Sequence, residues 1–180
     1  MTQWVDALKN AIPDYAKDIR LNLDSVIKQS SLGIDQAQCV ALAAAFATGN
    51  GKLITWIAQE LHGPGGDGLG GNNPEVNAAM TAASIMAMNN TWYPYVEMAE
   101  DENLRGLPAQ LRMNAITTHG GTTKGKFEAY SLAASIVGRC HFCVKAHYET
   151  LKQEGYSVTQ LRDIGRIAAV MAAVGKILNN

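Results

Sequence analysis

Apolar residues recur along the chain at intervals of three and four. Leu161, Ile164, Ala168, Met171 and the pair Ile177 and Leu178 mark one face of a final helix. Ser157, with Gln160 three residues on, reads as the capping box that opens it. Asn73 followed by Pro74 reads as an N-cap and a first helical residue. Asp35 to Gln38 repeats the capping logic ahead of the apolar stretch around Ala43. Gly155 fits the position just past a helix end, and Gly138 is expected to break a helix so that a new one starts near Cys140. No segment sustains two-residue alternation with β-branched enrichment. The pattern predicts an all-α chain interrupted by two loops, a glycine-dominated stretch from His62 to Asn73 and a Thr/Gly-rich one from Thr117 to Lys126.

Shifting the chain by half its 180 residues brings like onto like. Leu42-Ala43-Ala44-Ala45 falls on Leu132-Ala133-Ala134-Ser135, Leu61 on Leu151, and Ala78-Ala79 on Ala168-Ala169. This predicts one domain over 1–180, built as two pseudo-symmetric halves by internal duplication. Cys140 then faces Asn50, Cys143 faces Leu53, His147 faces Ile57, and Glu128 faces Gln38. The half 1–90 keeps the apolar skeleton without the ionisable groups, so chemistry is expected in 91–180 alone.

Charge narrows the function. The 15 Lys and Arg against 16 Asp and Glu leave a formal charge of -1, and charged residues are only 17% of the chain. That is short of the roughly 25% usual in soluble domains, so some surface is expected to be covered in a homo-oligomer. The balance lacks the basic face of a nucleic-acid binder. No apolar run approaches the ~18 residues of a membrane helix. The first residues, with Asp6 and Lys9, lack a signal-peptide stretch. A cytoplasmic protein is expected.

Three cysteines, Cys39, Cys140 and Cys143, do not make a disulfide framework. Cys140 and Cys143 form a C-x-x-C, and His147 follows at four residues on the same helical face. A thiolate near a helix N-terminus is stabilised by free N–H groups and the macrodipole, and a histidine one turn away can take the thiol proton. One thiol of lowered pKa, one resolving thiol and one proton carrier make a dithiol redox centre. Zinc is the sharper rival, with Cys140, Cys143 and His147 as ligands and His141 or Glu128 as a fourth, although no second paired knuckle is present. A thioredoxin-type domain would need β-α-β architecture. The string Gly66-x-Gly68-x-x-Gly71 follows a helix where a dinucleotide fingerprint requires a strand, in a loop dense enough in glycine to match by accident. His119-Gly120-Gly121 reads as a linker, Cys39 as a small buried hydrophobe, and Trp4, Trp56 and Trp92 as core or interface anchors.

Glu128, eleven intervening residues, Cys140-x-x-Cys143 and three more to His147 resemble the alkyl hydroperoxide reductase D family, AhpD, within the carboxymuconolactone decarboxylase-like superfamily. The resemblance covers nearly the whole chain. It implies an α-helical protein, often trimeric, that reduces organic hydroperoxides. It further implies a carrier of electrons from a dihydrolipoyl-bearing protein to the partner peroxiredoxin, AhpC, with no cofactor beyond a Cys140–Cys143 disulfide. By position, Cys143 would be the peroxidatic thiol, Cys140 the resolving thiol, and Glu128 with His147 the proton relay. The helix dipole favours Cys140 as the more acidic thiol; the family assignment, with His147 one turn from Cys143, favours Cys143 and is followed here. Some members place histidine directly before the second cysteine. Here Phe142 stands there and the histidine is His141, which leaves an accessory role for His141 open. The decarboxylase branch of the superfamily would give the cysteine pair no role.

Overall fold

A computed structural model describes residues 3–63, 73–115 and 121–179. The six glycines expected in the first loop lie outside it except Gly63, as does the stretch Thr117 to Gly120 of the second. Gly66-x-Gly68-x-x-Gly71 and His119 with Gly120 are therefore outside the described residues.

Among the described residues every regular element is helical, as the spacing predicts. The elements are α1 (Gln3–Ala11), a 3₁₀ turn (Asp14–Ala16), α2 (Lys17–Lys28), α3 (Ile34–Thr48), α4 (Gly51–His62), α5 (Pro74–Ala99), α6 (Glu102–Arg105), α7 (Lys124–Gly138), α8 (His141–Gln153) and α9 (Val158–Leu178). The core forms around α3 and α7, which pack on each other and are flanked by α5 and α9. Every residue of α3 from Ala37 to Ala45, and of α7 from Ala129 to Ser135, is buried. A helix buried all round needs small side chains on every face, and the alanines of both segments supply them.

Local chemistry sets the ends. Asn73 accepts the N–H groups of Glu75 and Val76 at 3.0 and 3.4 Å and starts α5 with Pro74 in its first turn. Ser157 and Gln160 close the expected capping box on α9. Gly155 takes the left-handed conformation (φ +86°) beyond the end of α8. Two readings need correction. Asp35 does not cap α3: the helix already begins at Ile34 behind Gly33, and Gln38 turns to accept the indole N–H of the buried Trp4 at 3.0 Å. The second loop ends sooner than expected, because the Thr123 hydroxyl accepts the Lys126 N–H at 3.4 Å and starts α7 at Lys124. Gly125 is tolerated inside that helix because the Tyr156 ring occupies the space beside it, 3.0 Å from where a Cβ would stand.

The half-chain shift carries over to the helix ends. It maps the bounds of α3 onto those of α7 and the first residue of α4 onto the first of α8. Left-handed Gly49 falls on left-handed Arg139. The N-cap Asn50, whose side chain accepts the Leu53 N–H at 2.8 Å, falls on the N-cap Cys140.

Candidate active site

The turn between α7 and α8 aims the dithiol inward. Gly138 is the last residue of α7. It does not supply the reversal of the chain, which Arg139 makes with φ +56°. Gly138 is there for closeness: a Cβ would stand 2.1 Å from Nδ2 of Asn90 on α5. That amide donates to the carbonyl of Ala134 at 3.1 Å and clamps α5 to the end of α7. Cys140 then caps α8, its sulfur accepting the Cys143 N–H at 3.2 Å. The cap places the sulfur over the first turn, where it meets the second cysteine. Cys140 and Cys143 are joined as a disulfide, S–S 2.06 Å and Cα–Cα 5.3 Å.

The sulfurs carried at this helix N-terminus are covered. Cys140 is 0% exposed and Cys143 3%. The inward stripe of α8 runs through Cys143 to Leu151 and packs on α7 and α5, while His141 and Phe142 take the solvent side. Phe142 is half exposed and stacks on Tyr93 of α5, centroids 4.4 Å apart. His141 lies at the surface, its Nδ1 3.4 Å from a Glu97 carboxylate oxygen, and does not enter the site.

Glu128 and His147 do meet. Nδ1 of His147 lies 2.6 Å from Oε2 of Glu128, with both side chains about 15% exposed. An ionised carboxylate only accepts, so Nδ1 carries the hydrogen in this pair. The other ring nitrogen, Nε2, lies 3.1 Å from the sulfur of the buried Met86 on α5, also an acceptor. Nothing in the spacing of Met86 separates it from a core methionine, so it is not legible in the sequence. The four sequence-derived residues thus occupy one juncture of α5, α7 and α8. Among the described residues no set of three or more His, Cys, Asp or Glu side chains is arranged to hold a metal ion.

Cys39 sits apart, buried on α3. Burial above all, and then the nearby Glu75 carboxylate, push its thiol up to about 12. Glu75 itself accepts hydrogen bonds from Thr122 at 2.6 Å, from Lys126 at 3.3 Å and from the buried Tyr130 hydroxyl. Sequence reasoning did not single out this cluster.

Comparison with known proteins agrees with the motif. Residues 104–179 match the carboxymuconolactone decarboxylase family. A protein named alkyl hydroperoxide reductase AhpD in Rhodospirillum centenum is 40% identical over 179 residues, spanning 97% of this chain and 90% of the relative. The chain belongs to the AhpD family. AhpD of Coxiella burnetii (strain Dugway 5J108-111) is also 40% identical, over 94% of this chain and 93% of its own. AhpD of Maricaulis maris is 36% identical over 97% and 96%. AhpD relatives thus match the first half as well as the second, where the decarboxylase family match lies. No helix among the described residues is long and apolar enough to cross a membrane.

Proposed function

We propose that this AhpD-family enzyme reduces organic hydroperoxides through a Cys140–Cys143 dithiol/disulfide cycle. The supporting observation is the disulfide set at the same helix juncture as the Glu128–His147 pair. In the first step the Cys143 thiolate attacks the O–O bond. The alcohol leaves with a proton and Cys143 becomes a sulfenic acid. The Cys140 thiol then displaces water, giving the disulfide. A donor dithiol restores both thiols and is itself oxidised to a disulfide. Glu128 fixes His147 with its proton on Nδ1, which leaves Nε2 to exchange the proton that Cys143 loses and regains. The burial of both sulfurs means that α8 must open at its first turn for peroxide or donor to enter.

The same proposal extends to partners. A dihydrolipoyl-bearing protein supplies the electrons, the peroxiredoxin AhpC takes them, and the protein works in the cytoplasm as a homotrimer or higher homo-oligomer. The low charged fraction and the exposed Tyr95 and Met98 support the oligomer. We also read the two halves, 1–90 and 91–180, as a duplicated unit whose second copy alone carries the chemistry. The coincident helix bounds and caps support that reading.

The experiment is a thiol count on the reduced protein before and after one equivalent of cumene hydroperoxide. Two thiols per chain are lost and dihydrolipoamide returns them. A Cys143→Ser protein that reduces the peroxide as fast as wild type overturns the cycle. Turnover unaffected by added peroxiredoxin overturns the carrier role.

A further inference from the structure

A cleft of about 650 Å³ opens beside the two residues that separate the cysteines. Trp92, Tyr93 and Phe142 line it with rings, and Val96, Leu104 and Leu107 with aliphatic surface. Its size falls among cavities that take drug-sized ligands (~300–1,000 Å³) and greatly exceeds what a short alkyl peroxide fills. Phe142 and Leu107 stay more than half exposed there, at 57% and 65%. Apolar surface of this kind, gathered in a concavity, marks a binding site.

The charges on the rim are unequal. His141 faces Glu97 at 3.4 Å, and Arg105 is held by Glu102 at 2.6 Å. Glu149, a turn beyond Lys145 on α8, lies 3.9 Å from Lys152. Lys145 is exposed and has no ion-pair partner among the described residues. Glu97 is offset by His141 only where that ring is protonated, so Glu97 and Lys145 are the rim's uncompensated charges, and Lys145 is the one that also stands beside Cys140. Lys145 and His141 also border a second depression, of about 390 Å³, whose lining includes Cys140. The apolar cleft, the free ammonium and the helix turn that covers the dithiol are thus contiguous.

We propose that this cleft binds the hydrocarbon chain of an amphipathic monocarboxylate whose carboxylate pairs with Lys145, which makes long-chain fatty-acid hydroperoxides the preferred substrate class. The choice of substrate rests on the peroxidase reading; the binding site does not. An aromatic and aliphatic wall gains from burying a methylene chain at about 0.8 kcal/mol per CH₂. A single ammonium beside it selects an anionic head.

Oleate, which carries no peroxide, tests the site on the whole oxidised protein through tryptophan emission. Saturable binding is expected, with the signal lost in Trp92→Phe. Lys145→Gln should weaken oleate about tenfold and leave oleyl alcohol within about twofold. No saturable change, as when a neighbouring subunit covers the cleft, overturns the proposal. So does equal weakening of acid and alcohol. Turnover separates the two readings. If tert-butyl hydroperoxide is reduced through Cys143 and linoleic acid hydroperoxide is no better a substrate by kcat/KM, the substrate assignment falls while the peroxidase reading stands. If Cys143→Ser leaves peroxide reduction intact, the peroxidase reading falls and the oleate titration still decides the site.

Discussion

Glu128 is the residue whose function and fold can be separated most cleanly. It is partly buried, its contact with His147 is 2.6 Å, and Gln preserves its volume while losing its charge. Glu128→Gln still presents an oxygen to Nδ1 but no longer offsets the charge that the ring gains on taking the thiol proton. On the cycle proposed above it should lower kcat/KM for cumene hydroperoxide by about 10²-fold, the scale of an impaired proton transfer, while thermal stability changes little. A variant with undiminished turnover would remove Glu128 from the relay. Cys39 makes the opposite case. A thiol pushed up to about 12 within the core is neither ionised nor reachable at neutral pH. Three cysteines should therefore behave as one inert thiol and one redox pair. In the oxidised native protein the thiol reagent DTNB should find none, and in oxidised protein unfolded in guanidinium it should find one. Full reduction followed by unfolding should raise the count to all three cysteines of the sequence.

At the scale of the elements, the helix ends show what a sequence can and cannot convey. Asn73, Ser157 and Gly155 were readable because their roles are local: a side-chain oxygen bonding two or three residues ahead, or a left-handed residue that glycine satisfies. Asp35 misled for the same reason, since its spacing to Gln38 obeys the local rule while Gln38 answers to Trp4 on another helix. The dithiol motif was legible for its spacing, and Glu128 because a family pattern carries it across the gap between helices. The inward aim of the sulfurs was not legible, because it depends on how α8 seats against α5 and α7. Gly138 shows the difference most sharply. Its expected role was to break α7, but its observed role is to let Asn90 approach. Gly138→Ala should then cost about 1–3 kcal/mol as an overpacked contact, measured by urea unfolding. Asn90 is close through its Cβ as well as its amide, at 2.8 Å, so the side chain cannot simply swing away. The double variant with Asn90→Gly should recover part of the loss that each substitution causes alone, giving a coupling energy of about 0.5–3 kcal/mol. Additive losses would mean that Gly138 is needed for backbone freedom instead.

Over the whole molecule, distant segments are tied by two carboxylates, and these are expected to set the response to acid. Asp163 on α9 is buried and accepts the Ser31 N–H at 2.9 Å and hydroxyl at 2.8 Å, which fastens the turn before α3 to the last helix. Arg162 and Arg166 reach its other oxygen at 3.1 and 3.2 Å. Burial pushes its pKa upward, but the Ser31 bonds and the two guanidinium groups outweigh burial and hold it down at about 2, against 3.8 for an ordinary aspartate. Glu75 joins the start of α5 to α7, and its carboxyl is likewise lowered: the bonds from Thr122, Tyr130 and Lys126 overcome its desolvation. A group whose folded-state pKa is depressed contributes stability in full above its unfolded-state value and loses it as pH falls through the folded-state one. For Asp163 the window runs from 3.8 down to about 2. Asp163→Asn keeps one acceptor oxygen but gives up the ionised partner of two arginines and a serine, so it should cost about 1–3 kcal/mol at neutral pH. The same variant should flatten the fall in unfolding free energy across the acid window, because the proton that Asp163 takes up there is no longer part of the equilibrium. Wild type and Asp163→Asn losing stability in parallel between these pH values would show that the acid response lies elsewhere, with Glu75 the next carboxylate to replace.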